Sequence, residues 1–222
     1  MSKRTVCLFV LSVMLLPAVS QAAMVNGDFE SGLSGWMLTD NPPAAAIVIA
    51  DGYSGHTTSV AHLSAAADFT WTEHLEGWQW DGNIASADLA SAMFTLGEGE
   101  MAVTFQYFTQ TQGEGVEPAY ISYYGQDDVS GAAGYNRLPL TGTGWNTYTL
   151  ELRDADGNFL SAGSSVAVFA NVLANVPSYL GTEGQQVHLQ SDLYVDNFVV
   201  IPEPASLTVI LLGAVIARRR GR

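Results

Sequence analysis

Trp71, Trp78 and Trp80 crowd together with Glu73, His74, Glu76 and Asp81. Aromatic faces stack on the C–H surfaces of sugar rings, and carboxylates and imidazoles exchange hydrogen bonds with hydroxyls. A large apolar surface with a few placed polar groups is the make-up of a ligand site. Trp71, Trp78, Trp80, Glu73 and His74 are therefore the candidate ligand-binding residues. A second reading makes the tryptophans packing residues that pin an irregular loop onto a larger body, and this reading is preferred. Tyr123 and Tyr124 are read in the same way, as packing rather than a sugar platform.

Other chemistry is sparse. Asp154-Ala155-Asp156-Gly157-Asn158 starts like a calcium loop but lacks the sixth-position glycine and twelfth-position glutamate of an EF-hand, so a hairpin turn is expected. His56 and His62 are spaced for neither a helical metal motif nor a tight zinc site, and no role is assigned to them. A hydrolase would need two carboxylates facing each other across a cleft. With so many acids, such a pair can always be chosen, which decides nothing. No G-x-S-x-G elbow, no phosphate loop and no E-x-D-x-x-E strand signature is present. The expectation is a protein that is not an enzyme.

The ends carry signals. Lys3 and Arg4 precede the apolar run Val6–Leu16, Pro17 breaks it, and Ser20-Gln21-Ala22 supplies the small residues of a cleavage site. Residues 1–22 are read as a signal peptide, cut by signal peptidase between Ala22 and Ala23. The only cysteine, Cys7, lies inside that segment, so the mature chain has no disulfide. At the other end, Pro202-Glu203-Pro204 is followed by an apolar stretch from Ala205 to Ala217 and by Arg218, Arg219, Arg220 and Arg222. A rigid extended element, a membrane-holding stretch and a cytoplasmic basic cluster are three parts with separate jobs. This tail, residues 202–222, resembles the PEP-CTERM sorting signal. The resemblance implies processing by an exosortase, a short C-terminal hydrophobic helix held transiently in the inner membrane, and a cell-surface or extracellular destination among exopolysaccharide-making bacteria.

Between the signals the charge is one-sided. The net charge of the chain is −14, yet residues 23–201 contain no lysine and only Arg137 and Arg153 as permanent cations. Such a surface cannot neutralise phosphates, so nucleic acid is excluded as a partner, and anionic membrane surfaces are disfavoured. Solubility in a salty environment accounts for many of the carboxylates.

Positioning falls to strands. Met101, Val103, Phe105 and Tyr107 share one face of a period-two segment; Tyr148, Leu150 and Leu152 share another. Ser165–Val172 alternates similarly, and Leu193–Ile201 is apolar on both faces. Further strands are expected at 46–50, 59–64, 91–96 and 119–124, separated by turn chemistry such as Asp51-Gly52 and Gly97-Glu98-Gly99. Residues 65–90 are read as a long loop or irregular edge. About ten short strands in residues 23–201 predict an all-β fold: a single antiparallel β-sandwich of jelly-roll character.

The mature start, Asn26-Gly27-Asp28-Phe29-Glu30-Ser31-Gly32 through Trp36, and the late segment Val195-Asp196-Asn197-Phe198-Val199 together resemble the galactose-binding-like sandwiches, which include many carbohydrate-binding modules. The resemblance implies buried Phe29 and Trp36. It also implies a structural calcium ion held by Glu30 and Asp196, with Asp28 a weaker addition, clipping the first and last strands together. The alternative is that these carboxylates only cap backbone amides. The function expected is an exported surface or matrix protein binding extracellular polysaccharide. A purely structural matrix protein and a glycan-acting hydrolase are the alternatives.

Overall fold

The structure, a computed structural model, describes residues 24–41, 45–114, 116–126, 133–134 and 138–202. Its strands are β1 (Trp36–Asn41), β2 (Ala45–Asp51), β3 (Ser59–His74), β4 (Gly77–Gly82), β5 (Ala85–Ser91), β6 (Phe94–Thr95), β7 (Glu100–Gln112), β8 (Tyr120–Gln126), β9 (Ala133–Gly134), β10 (Leu138–Pro139), β11 (Asn146–Glu151), β12 (Ser165–Ala174) and β13 (Gln186–Pro202). They form two antiparallel sheets. The first runs β1-β5-β12-β8-β10, with β6 beside β12 and β9 beside β8; the second runs β11-β7-β13-β3-β2, with β4 beside the far end of β3. Among the described residues there is no helix, and the chain is an all-β sandwich.

The core lies between the sheets because alternate residues point inward. Leu63, Phe69, Phe105, Leu150, Leu189 and Leu193 meet Leu89, Ile121, Tyr123 and Val168, all essentially without exposed surface. The two end motifs meet inside it. Phe29 is 5.0 Å from Trp36, Trp36 is 5.0 Å from Phe198, and Phe198 stacks on Phe105 at 4.8 Å. The Phe198 amide donates to the Gly27 carbonyl at 2.9 Å. A Cβ at Gly27 would collide with the Phe198 carbonyl, so glycine is required for this approach.

The last strand explains its own double-faced apolar pattern. The register between β13 and β7 shifts between Asp196 and Val199, with Asn197 at φ 56°. Before this bulge Leu193 and Val195 point inward; after it Phe198 and Val200 do.

Residues 65–90 are not the expected loop. β3 continues unbroken to His74, turns through Leu75-Glu76 into β4, and the chain then enters β5. The signal was hidden because the inward positions at the middle of β3 are Ala65 and Ala67, which carry little strand preference of their own. The strand expected at 91–96 also differs: β5 ends at Ser91 and only Phe94–Thr95 pairs with β12. The hairpin turn at Asp154 is present, with the Asp154 carboxylate accepting from the amides of Asp156 at 3.0 Å and Asn158 at 2.8 Å. Ala22, Ala23, Glu203, Pro204 and the expected C-terminal helix lie outside the described residues. Pro202 ends β13, opposite Glu100.

Candidate functional site

The tryptophan cluster is divided by the β3–β4 hairpin. Trp71 pairs with Trp80 and Glu73 with Trp78, so these four share one face; Thr72, His74, Gln79 and Asp81 share the other. Trp71 and Trp80 are buried edge to face, 5.2 Å apart. The Trp80 indole N–H donates to the Tyr179 carbonyl at 2.8 Å, and the Gly181 backbone sits so close to the Trp71 ring that a Cβ there would be 2.7 Å from it. These two rings anchor the segment around Tyr179–Gly181 to the sheet. Trp78 is 40% exposed near the hairpin tip, beside fully exposed Leu75. His74 is on the opposite face, 2.8 Å from the Asp81 carboxylate. The five candidates therefore form no single site.

Glu30, Asp28 and Asp196 lie on one seam. Glu30 accepts from the Ser59 amide at 3.1 Å, and the neighbouring Thr58 hydroxyl donates to Asp196 at 2.8 Å. Asp196 has no exposed surface. Burial pushes its carboxyl above the usual range against hydrogen bonds from Thr58 and the Asn197 amide and the attraction of His56, and the charge of Asp28 pushes it further up. An all-oxygen, anionic set short of a countercharge is the chemistry calcium suits. Convergence is incomplete, however: among the described residues no three carboxylate, imidazole or thiol groups are placed to hold a metal ion. Carbonyl or hydroxyl oxygens would have to complete the set.

The outer face of the second sheet brings together residues the sequence reading left aside. His62, Tyr194 and Phe108 form one cross-strand row; Ser64, Asp192 and Gln110 the next; Ala66, Gln190 and Gln112 the third. At the aromatic end Tyr53 stacks on Tyr194 at 3.6 Å and 7°, and His62 stacks on the same ring at 4.1 Å and 6°. Trp145 closes this end, 6.0 Å from Phe108 and 4.3 Å from His56, its indole N–H donating to the Tyr53 carbonyl at 2.9 Å. Burial, and then Tyr53, push the Tyr194 phenol well above its usual range, so it stays protonated.

The polar rows are tied to the rings. The Tyr53 hydroxyl donates to Gln110 at 2.8 Å, the Gln190 amide donates to Asp192 at 2.7 Å, and His62 lies 2.9 Å from Asp192. Burial pushes the Asp192 carboxyl up, but hydrogen bonds from His62, Ser64 and Gln190 outweigh it, and the net shift is downward. Gln110, Gln112, Gln190 and Asp192 line a hollow of about 380 Å³; His56, Gln106, Trp145 and Asn146 line another of about 240 Å³ beyond the rings. A hollow of about 600 Å³ at the hairpin tip is lined only by Glu73, His74 and Leu75, and nothing walls it in. The lane from Gln190 to Trp145 is thus the best-formed site: flat rings beside a floor of amides, a hydroxyl and an ionised carboxylate. Its signal in the sequence was faint. Asp192 and Tyr194 flank the apolar Leu193, and Gln106 stands between Phe105 and Tyr107, but neither pattern says which strands lie side by side.

No protein-family model matches the chain, and no curated protein matches it. Among solved structures, the chain is similar to a protein described in work on promiscuous specificity in β-sandwich carbohydrate-binding modules: 13% identity over 83% of this chain and 63% of that one, TM-score 0.43. The module CBM27-1 of Caldicellulosiruptor saccharolyticus, solved with mannohexaose, matches at 14% identity over 82% of this chain and 98% of that one, TM-score 0.38. The enzymatically active domain of tailspike protein 4 from bacteriophage CBA120 matches at 14% over 81% of this chain but only 21% of its own length, TM-score 0.42. Likenesses this distant say nothing of what this chain binds.

Proposed function

We propose that this chain is an exported, non-catalytic surface protein that binds polysaccharide along the outer face of its second sheet. The observation that carries the reading is the stacked column of Tyr53, Tyr194 and His62 standing beside the Gln110–Gln190–Asp192 floor. Tyr194 and Phe108 are buried, with Tyr53 and His62 stacked on the two faces of the Tyr194 ring. The ring surface left for sugar C–H groups therefore belongs to the partly buried Tyr53, His62 and Trp145, while the amide and carboxylate groups are spaced along the strand to exchange hydrogen bonds with successive hydroxyls. The polar floor follows β13 from Gln190 to Asp192 and continues past Tyr53 to Trp145, an elongated layout that suits a stretch of linear chain rather than a single sugar. Export and exosortase processing rest on the terminal signals, and calcium at the Asp28–Glu30–Asp196 seam is part of the same reading.

Titration of the purified protein against a panel of linear oligosaccharides tests this. Tyr53→Ala and Gln190→Ala should each weaken binding by about tenfold to a hundredfold, ~1–3 kcal/mol, while Trp78→Ala leaves it unchanged. Binding that ignores the first two substitutions would move the site elsewhere, and binding to nothing in the panel would favour a purely structural matrix protein. Release of reducing ends, lost in Asp192→Asn, would make the protein a hydrolase instead. In the same preparation, the exported form should have a mass lacking residues 1–22 and the arginine tail.

A further inference from the structure

The lane has a charge character of its own. Three aspartates lie on its face or the continuation of that face: Asp192 in the floor, Asp68 beside His188, and Asp81 beside His74. Each already faces an imidazole, at 2.9 Å for His62–Asp192 and 2.8 Å for the other two, so these imidazoles are not spare donors for an anion. The fourth imidazole, His56 at the Trp145 end, lies 3.6 Å from the Asp196 carboxylate, and the remaining polar groups, Gln106, Gln110, Gln112, Gln190, Ser64 and Asn146, are neutral.

Among the described residues the one permanent cation is placed elsewhere. Arg153, among the described residues the one guanidinium, lies 3.8 Å over the Phe159 ring and donates to Glu151 at 2.9 Å and to the Gly157 carbonyl at 2.6 Å. It is used up within its own hairpin. Arg137 lies outside the described residues. A carboxylate or sulfate entering the lane would lose water beside Asp192 and find, among the described residues, no ammonium or guanidinium to replace it.

We propose that the lane accepts an uncharged linear glycan and turns away chains that carry uronate, sulfate or phosphate groups. The proposal rests on the glycan reading above and adds the selectivity that reading leaves open. Rejection here works through unpaired like charge, which discriminates without strengthening the cognate contacts.

The test is titration of the full protein with neutral linear oligosaccharides and with uronate-bearing ones of equal length, in chelator and in calcium, at low and high salt. Neutral chains should bind, and acidic ones should bind at least about tenfold more weakly at low salt, with the gap narrowing as salt screens the charges. Asp68→Lys should narrow the gap at low salt, whereas Glu98→Lys, the same charge change at an exposed loop residue away from the lane, should not. Equal or tighter binding of the acidic chains would overturn the proposal, whether in chelator or only through bridging calcium. So would Glu98→Lys acting as strongly as Asp68→Lys, since net charge alone would then explain the gap. Binding of neither class is a different failure and falls on the glycan reading itself.

Discussion

Asp196 and Asp192 lie four residues apart on β13, and burial pushes both carboxyls up, yet the net shifts are opposite. For Asp196 the desolvation cost wins, Asp28 adds to it, and the folded-state pKa is above the ordinary 3.8. Its ionised form is therefore disfavoured by folding: nothing is lost below 3.8, and the cost grows as pH rises through the folded value. For Asp192 the hydrogen bonds win and the folded pKa falls below 3.8. Its contribution is present above 3.8 and is lost as pH falls through the folded value. In chelator, Asp196→Asn should accordingly gain on the natural protein as pH rises from acid to neutral in denaturant unfolding. Calcium should then stabilise the natural protein at neutral pH and leave Asp196→Asn indifferent, because the metal supplies the missing countercharge. A stability gap that does not move with pH, together with no response to calcium, would reduce Glu30 and Asp196 to caps on backbone amides.

β13 is the element on which both faces of the problem meet, since it sends Leu189, Leu193 and Val195 into the core and Gln190, Asp192 and Tyr194 into the lane. One inward residue breaks the pattern. Ser191 has no exposed surface, and among the described residues its hydroxyl has no hydrogen-bond partner. Leaving a buried hydroxyl unpaired costs about 1–3 kcal/mol, and alanine removes the cost with almost no change of volume. Ser191→Ala should raise the melting temperature by roughly 2–4 °C for each kcal/mol recovered. A lower melting temperature would mean that the hydroxyl is satisfied after all. This strand also shows how far the sequence could be read. The apolar half of β7 was legible from alternation and that of β13 from a run apolar on both faces, and Phe29 and Trp36 were placed by their motif. β3 beyond Ser64 was not, because alanines at its inward positions give no contrast for periodicity to detect. The lane was not legible either: His62, Gln110 and Asp192 become neighbours only through register, and the Tyr53–Tyr194 stack joins residues 53 and 194 across a loop that no local pattern describes. For Trp71 and Trp80 the preferred packing reading agrees with their burial, but composition alone could not separate them from the exposed Trp78.

At the scale of the molecule the sandwich is a body of one sign. Nearly all its acids lie in residues 23–201, against Arg137 and Arg153, while the other six basic residues belong to the two terminal segments. The histidines do not redress this, since each of the four lies within 3.6 Å of an aspartate and adds charge only when protonated. Self-repulsion must then oppose compaction at neutral pH, over distances that the Debye length of about 10 Å at 0.1 M salt would cut off. The processed protein should gain stability as monovalent salt rises from millimolar to a few tenths molar. The gain should saturate once the exposed carboxylates are screened, and sodium chloride and potassium chloride should act alike. Charge reversal at scattered exposed acids, Glu98→Lys and Glu183→Lys together, should raise the low-salt midpoint and flatten the salt dependence, because each lysine removes one repulsion and adds one attraction. A midpoint that is flat in salt would mean the carboxylates are too dispersed to oppose the fold. A gain seen with calcium but not with sodium would locate the electrostatic strain at the Asp28–Asp196 seam rather than over the whole surface.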